Sequence, residues 1–153
     1  MMTPEQVQLV RQTFALLEPR ARVAGLIFYQ QLFALDPALR TLFNTDIEIQ
    51  GRKLMQMLGA AVGLLESPNA LRAVLQDLGR RHATYGVEDA HYDTVGAALL
   101  AMLQECLGPA LTPPARVAWA ALYANVAAAM QAAPRKLPRL PASLPRDSLG
   151  GSR

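Results

Sequence analysis

Helical periodicity runs through almost the whole chain, and nothing else in it competes. Val7, Val10, Phe14 and Leu17 recur at helical spacing behind Thr3-Pro4 and Gln6, a capping side chain with proline in the first turn and a capping-box partner. The same grammar returns at Asp36-Pro37 and Thr112-Pro113, while Gly86 and Gly108-Pro109 read as helix ends. Alternating Val/Ile/Thr runs bounded by turn residues are nearly absent, so a sheet has no raw material. The chain is therefore expected to be all-α.

The pattern predicts helices to Leu17, from Pro19 to about Leu35, and a short one from Asp36 to Phe43. Further helices are expected over about 47–66, up to Gly86, over Asp89–Leu107, and from Thr112 onward. Val23, Leu26, Tyr29 and Phe33 are the expected inward face of the second. Gly51, Gly59 and Gly63 weaken the 47–66 helix, each by about 1 kcal/mol relative to alanine. Close approach of a neighbouring helix is the expected reason, with Gly25 facing Gly51. Ser67-Pro68-Asn69 is read as a break.

A chain of 153 residues with 52% hydrophobic content is enough for one core. The domain boundaries expected are 1–132 for the folded body and 133–153 for a basic, Pro-rich, disordered tail. That tail holds Arg135, Lys136, Arg139, Arg146 and Arg153 against Asp147, a net +4, so the body is −1 although the whole chain is +3. A body without basic excess gives no footprint for nucleic acid. One cysteine, Cys106, rules out an internal disulfide and a Cys-based zinc site, and fits a reducing compartment. The start has no secretory pattern and the apolar runs are too short or interrupted to span a membrane, so a cytoplasmic location is expected.

His82 is the residue of chemical interest. Leu71, Leu75 and Leu78 precede it by eleven, seven and four positions, so all four share one helix face. A neutral imidazole at the end of an apolar stripe suits haem iron. A satisfied core histidine has the same spacing, and on spacing alone both stand. Tyr29 and Gln50 likewise sit on stripes where aliphatic residues would serve a plain core. His91 is expected to face solvent at a helix start, Cys106, Trp119 and Tyr123 to be core, and Arg80 and Arg81 to belong to a solvated face.

Taken in order, Tyr29, Phe43, Gln50 and His82 over seven expected helices resemble a globin. The segments LGRRHATYGV, TVGAALLAMLQECLGPALTP and ARVAWAALYANVAAAM are similar to those of neuroglobins and single-domain bacterial globins, over about Pro4 to Gln131. The resemblance implies a three-over-three helical sandwich around haem b, with His82 as the axial ligand to iron. It implies Phe43 packed on the porphyrin, Lys53 paired with a propionate, and Leu54 above the ligand. Leu78, Val87, Tyr92, Val95 and Tyr123 would line the rest of the pocket.

Where neuroglobins carry a distal histidine able to bind iron, this chain has Gln50, a poor iron ligand. With Tyr29 it resembles the distal pair of certain bacterial globins, including those of thermophiles and methanotrophs. A phenol O–H and an amide N–H directed at polarised dioxygen form charge-assisted hydrogen bonds, worth about 1.5–3 kcal/mol each. Together they would slow oxygen release by roughly a hundredfold or more.

The expected function is therefore reversible, high-affinity binding of dioxygen, with CO and NO as further ligands and no catalytic residue assigned. The alternatives are a haem redox enzyme, namely a nitric oxide dioxygenase, nitrite reductase or peroxidase, or a haem-based sensor. No flavin or nicotinamide domain follows in the sequence, so turnover is expected to need an external reductase.

Overall fold

The structure, a computed structural model, describes residues 2–43 and 46–132. The expected tail, and Asn44-Thr45 before Asp46, lie outside the described residues. Six α-helices make the body: α1 (Pro4–Leu17), α2 (Ala21–Leu35), α3 (Ile47–Gly63), α4 (Pro68–Thr84), α5 (Asp89–Leu107) and α6 (Pro113–Gln131). Three short 3-10 segments join them, over Glu18–Arg20, Pro37–Leu42 and Gly108–Ala110. The short third helix expected from Asp36 is thus the 3-10 segment. Asp36 caps it, accepting from the Ala38 N–H at 3.2 Å.

The caps behave as read. Gln6 N–H donates to Thr3 Oγ1 at 3.1 Å, and Thr3 N–H donates to Gln6 Oε1 at 3.0 Å. Thr112 Oγ1 accepts from Ala115 N–H at 3.3 Å. The break expected at Ser67-Pro68-Asn69 falls between α3 and α4, and Pro68 takes the first turn of α4, where a missing N–H costs nothing. The helix α3 stops at Gly63, short of Glu66.

Helix α3 packs on α2 while α1 and α4 pack on α6, the three-over-three arrangement expected. One core joins the layers. At its centre Trp119 is fully buried and donates its indole N–H to Thr13 Oγ1 at 2.7 Å, which fixes α6 on α1. The face of α2 that turns inward is Ala24, Gly25, Phe28, Tyr29 and Leu32. Val23, expected inside, is 42% exposed: the close crossing with α3 rotates Gly25 to the contact and Val23 away from it.

That crossing is tight. A Cβ on Gly25 would stand 2.8 Å from the Cα of Gly51, so the two backbones touch. Gly63 meets nothing within 4 Å, and the packing reason offered for it does not hold.

Candidate functional site

Helix α4 carries His82 in its last turn, and the local sequence decides what the ring presents. His82 Nδ1 lies 2.9 Å from the carbonyl oxygen of Leu78. A carbonyl only accepts, so Nδ1 carries the proton and Nε2 keeps its lone pair. Burial pushes the imidazole below its ordinary value; the Leu78 bond opposes this and the Arg81 charge adds to it. The side chain is therefore held neutral with one nitrogen free to bind a metal.

The turn after α4 shapes the adjoining wall. Gly86 takes φ +94°, a left-handed conformation open to glycine, and the N–H of Val87 returns to the His82 carbonyl at 3.2 Å. The chain so reversed directs Val87 into the pocket. Two residues on, Glu88 N–H donates to His91 Nδ1 at 2.9 Å in a capping box that opens α5 and sets Tyr92 and Val95 inward.

Across the space stand α2 and α3. Asp46 caps α3 by accepting from Glu48 N–H at 2.9 Å, which fixes the phase that brings Gln50, Lys53 and Leu54 to one face. Tyr29 is buried on α2 among phenylalanines, its ring centroid 4.9 Å from Phe28, 5.2 Å from Phe43 and 5.9 Å from Phe33. Burial raises its phenol to about 12, so it keeps its proton at any ordinary pH.

These walls enclose two adjoining recesses. An outer cleft of about 550 Å³ falls within the ~300–1,000 Å³ of small-molecule sites. Behind it lies a smaller, mostly apolar recess. Tyr29, Phe43, Leu54, Leu78, His82 and Val87 border both. Gln50 and Lys53 belong to the outer cleft, while Tyr92, Val95 and Tyr123 belong to the inner recess. All eleven residues singled out from the sequence thus face one connected space.

Tyr123 contributes its ring and not its hydroxyl. The O–H donates to the Tyr92 carbonyl at 2.6 Å, and the ring passes so near α5 that a Cβ on Gly96 would lie 2.7 Å from Cε2.

Further residues border the space without having been assigned to it, Met57, Arg81, Tyr85 and His91 among them. Met57 is one turn beyond Lys53 on α3 and could have been read from the stripe. Arg81 borders the outer cleft while donating to Asp77 at 3.0 Å. Tyr85 is 60% exposed at the mouth, its ring 6.0 Å from that of His82. His91, expected in solvent, is half-buried on the inner recess; its place three residues after Glu88 was the available signal.

The donor set fits haem. An imidazole with Nε2 unprotonated faces a deep apolar recess, as an axial ligand must. Lys53 and Arg81 stand on the outer cleft, where cations would meet carboxylates left toward solvent.

Comparison with known proteins agrees with this geometry. A family model described as Globin matches residues 26–130. The chain is 35% identical over 136 residues to a neuroglobin of Danio rerio, covering 80% of this chain and 86% of that one. It is 33% identical over 130 residues to a flavohemoprotein of Rhizobium meliloti (strain 1021), covering 83% of this chain and 32% of the relative. A flavohemoprotein of Vibrio cholerae serotype O1 is 29% identical over 126 residues, with coverage of 80% and 32%. The chain spans about a third of the length of the flavohemoproteins it matches.

This chain belongs to the globin family, whose members bind haem and diatomic gases. The family match begins within α2. Even so, Val10, Phe14 and Leu17 of α1 are buried in the same core, so the folded body reaches back to Pro4. Among the described residues, no helix is long and apolar enough to cross a membrane.

Proposed function

We propose that this globin holds haem b on His82 and binds dioxygen reversibly and with high affinity, using Tyr29 and Gln50 as donors to the ligand. The observation that carries this reading is the shared outer cleft: His82, with its Nδ1 proton committed to Leu78, borders the same space as Tyr29 and Gln50.

The haem, when bound, supplies the iron at which a diatomic ligand is taken up. The protein's part is everything around it. Phe43 and Leu54 would pack against the haem, Lys53 would pair with a propionate, and Leu78, Val87, Tyr92, Val95 and Tyr123 would supply apolar wall. Tyr29 enters as a protonated phenol because burial holds it so. Polarised dioxygen is a stronger hydrogen-bond acceptor than carbon monoxide, so the pair favours oxygen.

The test is the rate of oxygen release. Replacing Tyr29→Phe and Gln50→Leu together is expected to speed it roughly a hundredfold, from two bonds of about 1.5 kcal/mol each, with a much smaller change for carbon monoxide. An unchanged oxygen rate overturns the proposal.

A second reading rests on the similarity to flavohemoproteins, whose name joins a flavin to a haem protein. Here this chain consumes nitric oxide with electrons from a separate reductase. Sustained consumption with recovery of the ferrous spectrum supports it; a single turnover leaves an oxygen binder.

A further inference from the structure

Helix α3 has two occupied faces. One borders the His82 cleft. The other, through Arg52, Met55, Gln56 and Gly59, borders a separate cavity of about 670 Å³ that opens to solvent between α3, the end of α1 and the start of α2. The two cavities have no lining residue in common.

Gly59 draws attention to this second space. It sits inside a helix, where glycine is costly. Packing does not require it: a Cβ there would meet the Phe14 ring at 3.5 Å, an ordinary contact, unlike the backbone collisions at Gly25 and Gly51. What its missing side chain does is leave the floor of the cavity open.

That floor is Phe14 and Met55, both buried, with Pro19 beside them. A ring, a thioether and a pyrrolidine offer flat, polarisable surface of the kind aromatic groups pack on. The rim is charged. Glu48 is engaged by Arg22. Arg52, one turn along α3 from Glu48, lines the cavity, and among the described residues no ion pair is formed by it. Glu18 stands on the opposite rim, from the 3-10 segment, and repels an anion from that side.

We infer that this cavity is a second ligand site, for a small aromatic carboxylate. Its ring lies on Phe14 and Met55, and its carboxylate faces Arg52 on the α3 side, away from Glu18. An occupant there presses on the helix that carries Gln50 and Lys53 on its other side.

The probe is 1-naphthylacetate, titrated into the full chain loaded with haem so that the His82 cleft is closed to it, and followed by amide chemical shifts. Saturable shifts centred on Gly59 and Arg22 are expected. The uncharged 1-naphthylacetamide should bind about fivefold more weakly, the scale of one exposed charge pair, and Arg52→Gln should remove that difference. Gly59→Leu, which favours the helix and fills the floor, should abolish binding while far-UV circular dichroism is kept. Equal affinity for acid and amide on the unaltered chain overturns the inference, as does shift confined to residues of the His82 cleft or no saturable shift at all.

Discussion

Helices α4 and α6 are of similar length, 17 and 19 residues, and both border the pocket, yet they are held in place by different means. Seven residues of α6 are buried, Trp119 completely. Only Leu75 and Gly79 are buried on α4. The inward residues Leu78 and His82 instead face the cleft. Helix α6 is fixed by the protein's own core, whereas the inward face of α4 is left to what fills the space beneath it. If His82 holds the haem as proposed, coordination and the order of α4 form one equilibrium, since a ligand that binds only the native arrangement stabilises it by mass action.

The largest effect expected from this contrast is at His82. Loss of a supporting contact to a metal ligand costs 10–100-fold, so loss of the ligand itself in His82→Ala should speed haem transfer to an acceptor roughly a hundredfold or more. The denaturation midpoint of the haem-free protein should scarcely move, because the ring adds little to the core. In the unaltered chain, removing haem should raise amide exchange throughout α4 and leave α6 protected. Equal loss of protection in both helices would break the comparison.

Two glycine crossings sharpen it. A Cβ at Gly79 would fall 2.2 Å from the Met130 carbonyl oxygen, and one at Gly25 would fall 2.8 Å from the Gly51 Cα. Backbone lies on the far side in each case, so neither neighbour yields easily. Gly25→Ala strains the α2–α3 crossing and should lower global stability by about 1–3 kcal/mol in denaturant titration. Gly79→Ala pushes α4 off α6, and there the cost should be seen mainly as faster haem loss. If both alanines lower the haem-free midpoint alike, α4 is as much a part of the core as α2 is.

The two regions also differ in how far they could be read from sequence. Caps and breakers act within a few residues, so Thr3, Gly86, the span Asp89–Leu107 and Thr112 were all legible. So was the contact of Gly25 with Gly51, because glycines inside otherwise strong helices ask for a neighbour. The phase of α2 was not legible. Val23 and Ala24 are both apolar, and only the rotation imposed by Gly25 decides which faces inward. Gly79 lay in a segment read for its histidine, and its partner, a backbone carbonyl of α6, leaves no mark in composition. The site residues were named through family resemblance. Spacing showed that His82 ends an apolar stripe, but the proton on Nδ1 depends on a side-chain rotamer that spacing does not specify.

Acid should act on the same weak region. Burial holds His82 below the ordinary imidazole value of 6.5, so the unfolded chain takes up a proton before the folded one does. The stability tied to the neutral ring is therefore fully present above about pH 6.5 and is lost as pH falls through the folded-state value. In the haem-free protein, amide protection of α4 should decline over that acid window, and His82→Leu should remove the step. A step of the same size in the leucine variant would assign it to another group.

The smallest effect belongs to the well-packed side. Tyr123→Phe removes the hydroxyl that donates to the Tyr92 carbonyl but keeps the ring against Gly96. Within α5 that carbonyl can still accept the bond of the next helical turn, so no buried acceptor is left wholly bare. The expected loss is about 1 kcal/mol, measured as a shift in denaturation midpoint with haem release unchanged. A core helix tolerates the loss of one bond because its other buried residues persist, and α4 has only Leu75 and Gly79 buried. Faster haem release in this variant would show that the α5–α6 seam, and not the filling of the cleft alone, sets how firmly His82 is presented.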